Sequence, residues 1–429
     1  MGMYASGAAS DSAQYNTVDL ADVPVKLRTS WAQYSPYFPV AEYQSPPENC
    51  RITQAHLLQR HGARYPTASA GANIVTAVNK LKSAQNFTDS RLQFLRTHVY
   101  ELGADDLVPY GARESELSGR VQFGRYSHLV TKDQLPFVRA AGSDRVILSA
   151  TNWTAGFAKA SNHLYSPVLS VIISEEAGQN NTLDTGGCPK IGSSTAQTNE
   201  WLLKYGPPIA DRLNTQAPGA KLTPTDAYNL LSLCAFESVH QNRLSPFCNV
   251  FSQEEFEQFE YSGDLDKYYK TGYGQPLGPA QGIGYVNELL ARLTGTPVRD
   301  NTKTNHTLTG SPVTFPLHRA IYADFSHDNE MVGIYAALGL FKQKVAPNPS
   351  SPDPNRNWLA SQLVPFGARM VTEKLACGAE EYVRIFVNDA RQPLEFCGGD
   401  KNGLCTLKAF VESQSYSRTD GNGDWAKCF

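Results

Sequence analysis

Residues 52–66 read ITQAHLLQRHGARYP. The first nine form a short, mostly apolar run without Gly or Pro, and the run breaks at Gly62 and Pro66, which predicts a buried strand that delivers a polar turn. Further short apolar runs rich in Val, Ile, Tyr and Phe lie at residues 145–151 (RVILSAT), 318–325 (HRAIYADF) and 382–387 (YVRIFV). Each predicts a strand. Helical spacing of apolar residues falls between them, at residues 74–81, 117–129 and 285–293. Strands alternating with helices predict an α/β fold with a mainly parallel sheet flanked by helices. Residues 183–279 read differently: 201–213, 226–237 and 253–261 carry helical periodicity, and strand signals are few. The expected organisation is an α/β domain made of residues 1–183 and 284–429, with a smaller all-helical domain, residues 184–283, inserted into it. The Pro- and Ser-rich residues 347–354 predict a surface loop.

The 429 residues are 41% hydrophobic and 18% charged, enough apolar material for a large core. Lys plus Arg number 38 against 41 for Asp plus Glu, so the basic excess of a general nucleic-acid binder is missing and any anionic ligand must meet a local cluster of cations. No run approaches eighteen apolar residues, which argues against a spanning helix and a membrane partner. The start, Met1-Gly2-Met3-Tyr4, lacks a charged region followed by an apolar one, so a secreted form would already have lost its signal.

The eight cysteines, Cys50, Cys188, Cys234, Cys248, Cys377, Cys397, Cys405 and Cys428, contain no C-x-x-C and no close Cys/His cluster. Metal binding by thiolate is therefore not expected, and four disulfides are, although eight cysteines allow 105 connectivities. Sequons at Asn86, Asn152, Asn180 and Asn305 point to the same oxidising, secretory route. An extracellular, glycosylated protein is expected.

The chemistry is concentrated in Arg60-His61-Gly62-Ala63-Arg64-Tyr65-Pro66. Two guanidinium groups can bind a tetrahedral oxyanion through forked hydrogen bonds, Gly62 allows close backbone approach, and Pro66 fixes the exit. Such a loop sets the imidazole against an electrophilic phosphorus. A bare R-H-G tripeptide is as well explained by a basic surface turn, but the full R-H-G-x-R-x-P pattern arises by chance in a chain of this length on the order of once in ten thousand. The His327-Asp328 dipeptide is weak alone, since about one such pair is expected by chance. No G-x-S-x-G, Walker A or H-E-x-x-H occurs, so a serine hydrolase, an NTPase and a zincin have no support.

With these motifs in hand, the sequence resembles the histidine acid phosphatases, and within them the fungal phytases. The similarity is carried by RHGARYPT (60–67), LGADDL (102–107), SDRVILSA (143–150), NNTLD (180–184), PLGPAQGIGY (276–285), ADFSHDN (323–329) and WAKCF (425–429). The resemblance implies a two-step displacement through a phosphohistidine, with no metal and no cofactor. It implies that His61 is the nucleophile, that Arg60, Arg64, Arg145 and His327 bind the phosphoryl oxygens, and that Asp328 protonates the leaving alcohol. Three arginines supply what phosphoryl transfer asks of a protein, stabilisation of charge on the equatorial oxygens. Loops at the carboxyl ends of parallel strands converge on one crevice, which would bring His61 and Asp328 together. Nearby arginines should depress the His61 pKa; they also disfavour the acid form of Asp328, whereas burial and a bound phosphate dianion should push its pKa up.

By the same resemblance Gln33, Tyr34, Asp184 and Lys267 match substrate-contacting positions, and Arg91 and Arg96 match basic ones. Ala70 and Asn73 stand where some fungal phytases have lysines. The resemblance also implies disulfides Cys50 to Cys377, Cys188 to Cys428, Cys234 to Cys248 and Cys397 to Cys405. Glu254, Glu255, Glu257 and Glu260 read as a solvated helix face. The expectation is a secreted monomeric phosphomonoesterase that acts on phytate. The rivals are a broad acid phosphatase and a non-catalytic anion-binding protein. A phosphoglycerate mutase shares the R-H-G loop, but the cysteines and sequons count against that cytosolic enzyme.

Overall fold

Strand β1 (Cys50–Arg60) runs through the middle of an eight-stranded sheet, and its last seven residues are all buried. A strand covered on both faces must satisfy its polar side chains internally. Gln54 donates to the carbonyl of Arg319 at 3.0 Å, His56 Nε2 lies 2.9 Å from Gln54 Oε1, and Gln59 accepts from Ser118 at 2.6 Å. The structure, a computed structural model, describes residues 20–429; the start at Met1 to Tyr4 lies outside them.

The other strands are β2 (Phe137–Ala141), β3 (Leu169–Ile173), β4 (Ile321–Ser326), β5 (Arg369–Cys377), β6 (Glu380–Val387), β7 (Ala390–Arg391) and β8 (Cys405–Thr406). Their order is β3-β2-β4-β1-β5-β6-β7, with β8 beside β6. The first four are mutually parallel, and β5 to β8 extend the sheet antiparallel from β1. The sheet is therefore mixed, and its parallel half carries the carboxyl-end loops.

One strand expectation is overturned. Residues 145–151 belong to a helix, Asp144–Ala160, whose buried residues Val146, Ala150, Trp153 and Phe157 recur at helical spacing. Seven residues are too few to display a 3.6-residue period, and Val and Ile inside them imitate a strand. The true strand is β2 just before it, FVRAA, where Arg139 is buried because it pairs with Asp324 at 2.8 Å and Glu288 at 2.6 Å. That helix packs on the helix Pro109–Tyr126 through paired glycines: a Cβ on Gly119 would lie 2.0 Å from the Trp153 carbonyl oxygen, and one on Gly156 would lie 1.9 Å from that of Glu116.

A second apolar core joins the helices Thr195–Gln216, Pro224–Gln241 and Gln253–Lys270 to the helix Ala68–Lys82, through Trp201, Leu230, Phe256, Ile74 and Leu81 among others. Capping boxes, Thr223 with Asp226 and Ser252 with Glu255, start two of these helices. The expectation of four solvated glutamates fails at two positions. Glu254 and Glu257 are exposed, but Glu255 closes its capping box and is held by Arg212 at 2.8 Å. Glu260 is buried, where it accepts from the backbone N–H groups of Ala32 and, at 2.9 Å, Ser361. Burial, followed by the Asp264 charge, pushes its pKa up to about 8.

Four disulfides join Cys50 to Cys377, Cys188 to Cys428, Cys234 to Cys248 and Cys397 to Cys405. The first couples the opening residue of β1 to the closing residue of β5, which face each other in the strand register. Asn86 and Asn180 are exposed, and Asn152 and Asn305 are half-buried. No helix among the described residues is long and apolar enough to cross a membrane.

Candidate active site

Four parallel strands end at one edge of the sheet, and each delivers part of the site. From β1 come Arg60, His61 and the loop to Pro66; from β4 come His327 and Asp328; from β2 come Ser143 and Arg145; and from β3 comes Glu175. The catalytic-loop backbone is fastened on both sides. His61 N–H donates to the Ser326 carbonyl at 3.0 Å, and the His61 carbonyl accepts from Gly367 at 2.9 Å. Gly62 lies against the backbone of Gly111, where a Cβ would sit 2.3 Å from its carbonyl oxygen, so only glycine fits this approach. Ser149 accepts from Gly62 N–H at 3.0 Å, and the buried Glu114 accepts from Ala63 N–H at 3.0 Å.

His61 is 2% exposed. Its Nδ1 donates to the Gly62 carbonyl at 2.8 Å, so the neutral ring carries its lone pair on Nε2. Burial first, then the charges of Arg60, Arg64, His327 and Arg145, hold its pKa well below the ordinary histidine value. The ring is therefore held neutral at acid pH where a free histidine would be charged. Arg60 is fully buried, donates to the carbonyls of Gln33 and, at 2.8 Å, Val364, and stacks its guanidinium 4.8 Å from the centre of the Phe366 ring. Arg64 donates to the Tyr65 carbonyl at 2.7 Å. The Nε atoms of Arg60, Arg64 and Arg145 are buried without a hydrogen-bond acceptor, which leaves donor capacity for an oxyanion.

At Asp328, with no phosphate bound, the expected pull of the arginines on the carboxylate is reinforced by a lysine. Its Oδ2 lies 3.2 Å from Arg60 Nη2 and 3.0 Å from Lys267 Nζ. Burial by itself raises its pKa, but Arg60 and Lys267 outweigh it and hold the carboxyl well below its usual range. Besides Arg60, the cation responsible is Lys267, which is 2% exposed and sits beside the carboxylate, also contacting Asn329 Oδ1 at 2.9 Å and Asp266 at 3.2 Å. Lys267 thus belongs to the innermost ring of charges.

Of the other residues singled out, Gln33 presents its carbonyl to Arg60 and Tyr34 packs 4.6 Å from the Phe236 ring. The Asp184 carbonyl accepts from the buried Lys303, which also pairs with Glu330 at 2.6 Å. Arg91 pairs with Asp89 at 2.7 Å and donates to the Asn249 carbonyl at 3.3 Å, and Arg96 donates to Gln93 at 2.9 Å. Asn73 is exposed on the helix that follows the loop.

The sequence reading missed Glu175, whose Oε1 lies 2.9 Å from His327 Nε2. The signal existed: Glu175 follows the apolar run of β3, at the carboxyl end where a parallel strand delivers functional groups. Glu175, Asp184 and His327 bring ligand-type atoms within 4.8 Å of one another, but Glu175 and His327 are already engaged with each other.

The profile of the histidine phosphatase superfamily, branch 2, matches residues 51–388. Phytase A of Emericella nidulans is 43% identical over 93% of this chain and 90% of its own length, and Phytase A of Aspergillus fumigatus is 40% identical over 98% and 96%. Among solved structures, the phytase from D. castellii superposes with a TM-score of 0.77 at 25% identity, covering 92% of this chain and 85% of its own. A multiple inositol polyphosphate phosphatase of Bifidobacterium longum shares the fold at a TM-score of 0.67 and 15% identity, over 92% and 98% of the two chains. With the matched span reaching from β1 to the end of β6, the chain belongs to branch 2 of the histidine phosphatase superfamily.

Proposed function

We propose that the chain is a phytase, a phosphomonoesterase that removes phosphate from myo-inositol hexakisphosphate through a phosphohistidine. The observation that carries this reading is the His61 ring, locked by Gly62 with its Nε2 lone pair available and set in the field of Arg60, Arg64, Arg145 and His327. Nε2 attacks phosphorus as the P–O bond to the alcohol breaks, and Asp328 gives its proton to the departing oxygen. Water then attacks the phosphohistidine, Asp328 takes the proton back, and the N–P bond breaks to release phosphate. The arginines and His327 neutralise the three equatorial oxygens throughout.

In the ligand-free site Asp328 is ionised. A phosphoryl dianion that engages Arg60 weakens the hold on the carboxylate and repels its charge, so substrate arrival itself favours the acid form. The relatives named Phytase A support phytate as the substrate. A broader acid phosphatase is the second reading, favoured by the local pairing of Arg91 and Arg96, which leaves fewer cations for distal phosphates. We also propose that the protein is a secreted, glycosylated monomer, a reading the disulfides and exposed sequons support.

The test compares phytate with p-nitrophenyl phosphate for the parent and His61→Ala. Acid-quenched labelled substrate should leave acid-labile phosphate on the parent alone, and the variant should fold but lose at least a thousandfold in kcat on both substrates. Parent-like turnover by His61→Ala ends the covalent mechanism, and parent turnover confined to the aryl ester replaces phytase by the broader enzyme.

A further inference from the structure

Glu175 stands on the loop that leaves β3, and its two carboxylate oxygens reach two different parts of the site. Oε1 lies 2.9 Å from His327 Nε2 and accepts the backbone N–H of Ser143 at 2.9 Å; Oε2 accepts the Ser143 hydroxyl. Ser143 is the residue from which the helix Asp144–Ala160 departs, two positions before Arg145. One carboxylate therefore holds the imidazole that follows β4 and the turn that presents the arginine after β2.

We propose that Glu175 is a positioning residue for phosphoryl binding, which fixes the ring of His327 directly and the placement of Arg145 through Ser143. With Nε2–H given to Glu175, Nδ1 is the ring nitrogen left to face a phosphoryl oxygen. Burial alone would lift the Glu175 pKa, but the hydrogen bonds and charge of His327 and the bonds from Ser143 bring it down to about 2. The group is thus ionised through the acid range. A site that must hold a tetrahedral anion loses little from one missing donor and much from two that wander, since misplacement by about 1 Å can cost on the order of a hundredfold.

The inference rests on His327 and Arg145 as phosphoryl ligands, and the test separates the two. Inhibition by inorganic phosphate and turnover of p-nitrophenyl phosphate are measured for Glu175→Gln, His327→Ala and the double variant, with thermal melting of each. Glu175→Gln should raise KM and the phosphate inhibition constant at least tenfold, lower kcat less, and melt within about two degrees of the parent. In the His327→Ala background its effect should shrink at least threefold, as coupled residues require. Ser143→Ala should reproduce the remainder. If His327→Ala is itself without effect on phosphate binding, the assignment of the phosphoryl ligands fails. If His327→Ala weakens phosphate but Glu175→Gln leaves KM and inhibition unchanged, or acts with full force in the double variant, the positioning role fails.

Discussion

Replacing Lys267 by Met removes a cation 3.0 Å from Asp328 Oδ2 while keeping a stem of similar volume. Coulomb's law gives about 5.5 kcal/mol for two unit charges at that distance with an effective dielectric of about 20, and about 1.4 kcal/mol in bulk water. One pKa unit corresponds to about 1.36 kcal/mol, so the Asp328 pKa should rise by about one to four units. The Asp328 side chain is 16% exposed at the crevice, which favours the lower end, and Arg60 still stands 3.2 Å away. The sign is upward, because a lost positive neighbour makes the ionised form less favourable. An acid that keeps its proton longer extends activity to higher pH. The assay is the pH profile of kcat, which reports the substrate-bound enzyme, between about 3 and 8 on an aliphatic phosphate ester, whose alkoxide needs protonation, with p-nitrophenyl phosphate beside it. The alkaline limb should move up by at least one pH unit for the aliphatic ester and by less for the aryl ester. An unmoved limb, or a downward shift, would refute the view that Lys267 controls the acid.

Asp328→Asn should slow aliphatic esters at least tenfold more than aryl esters, measured as the ratio of kcat values, since a phenolate departs with little protonic help; equal losses would give Asp328 a binding role alone. Glu260 has a folded-state pKa of about 8 against 4.5 for an ordinary glutamate, so the stability it contributes is complete below about pH 4.5 and is lost as pH rises toward 8. Glu260→Gln should lose roughly 1–3 kcal/mol at pH 4, because one of two backbone donors loses its acceptor, and should show a flatter fall in Tm from pH 5 to 8 than the parent.

The parts legible in the sequence are those written in contiguous residues. The run ending at Arg60 and the loop after it stand together because a buried strand and its turn are local. ADFSHDN places Asp328 at the end of β4 for the same reason. What escaped depends on partners far along the chain. Arg139 disguised β2, since a buried arginine is tolerated only when Asp324 and Glu288 arrive from elsewhere. Glu260 looked solvated because its acceptors serve Ala32 and Ser361, and neither bond has a trace in residues 253–261. The contact of Lys267 with Asp328 escaped as well: it joins Arg60 in holding the free carboxyl down, and no local pattern announces a lysine 61 residues away. The run 145–151 misled because its composition fits a strand and only the longer stretch to Phe157 shows the helical face.

The seating of His61 has a consequence for biosynthesis. Its N–H donates to Ser326 and its carbonyl accepts from Gly367, while the neighbouring Arg60 reaches a carbonyl 304 residues downstream, at Val364. A ribosome delivers these partners only long after the R-H-G loop, so the early chain cannot yet hold the imidazole in place. Closure of such distant pairs is slow and comes late in folding. Enzymatic turnover is then a clock for completion: a nascent chain released before Gly367 emerges carries the full R-H-G loop and remains silent.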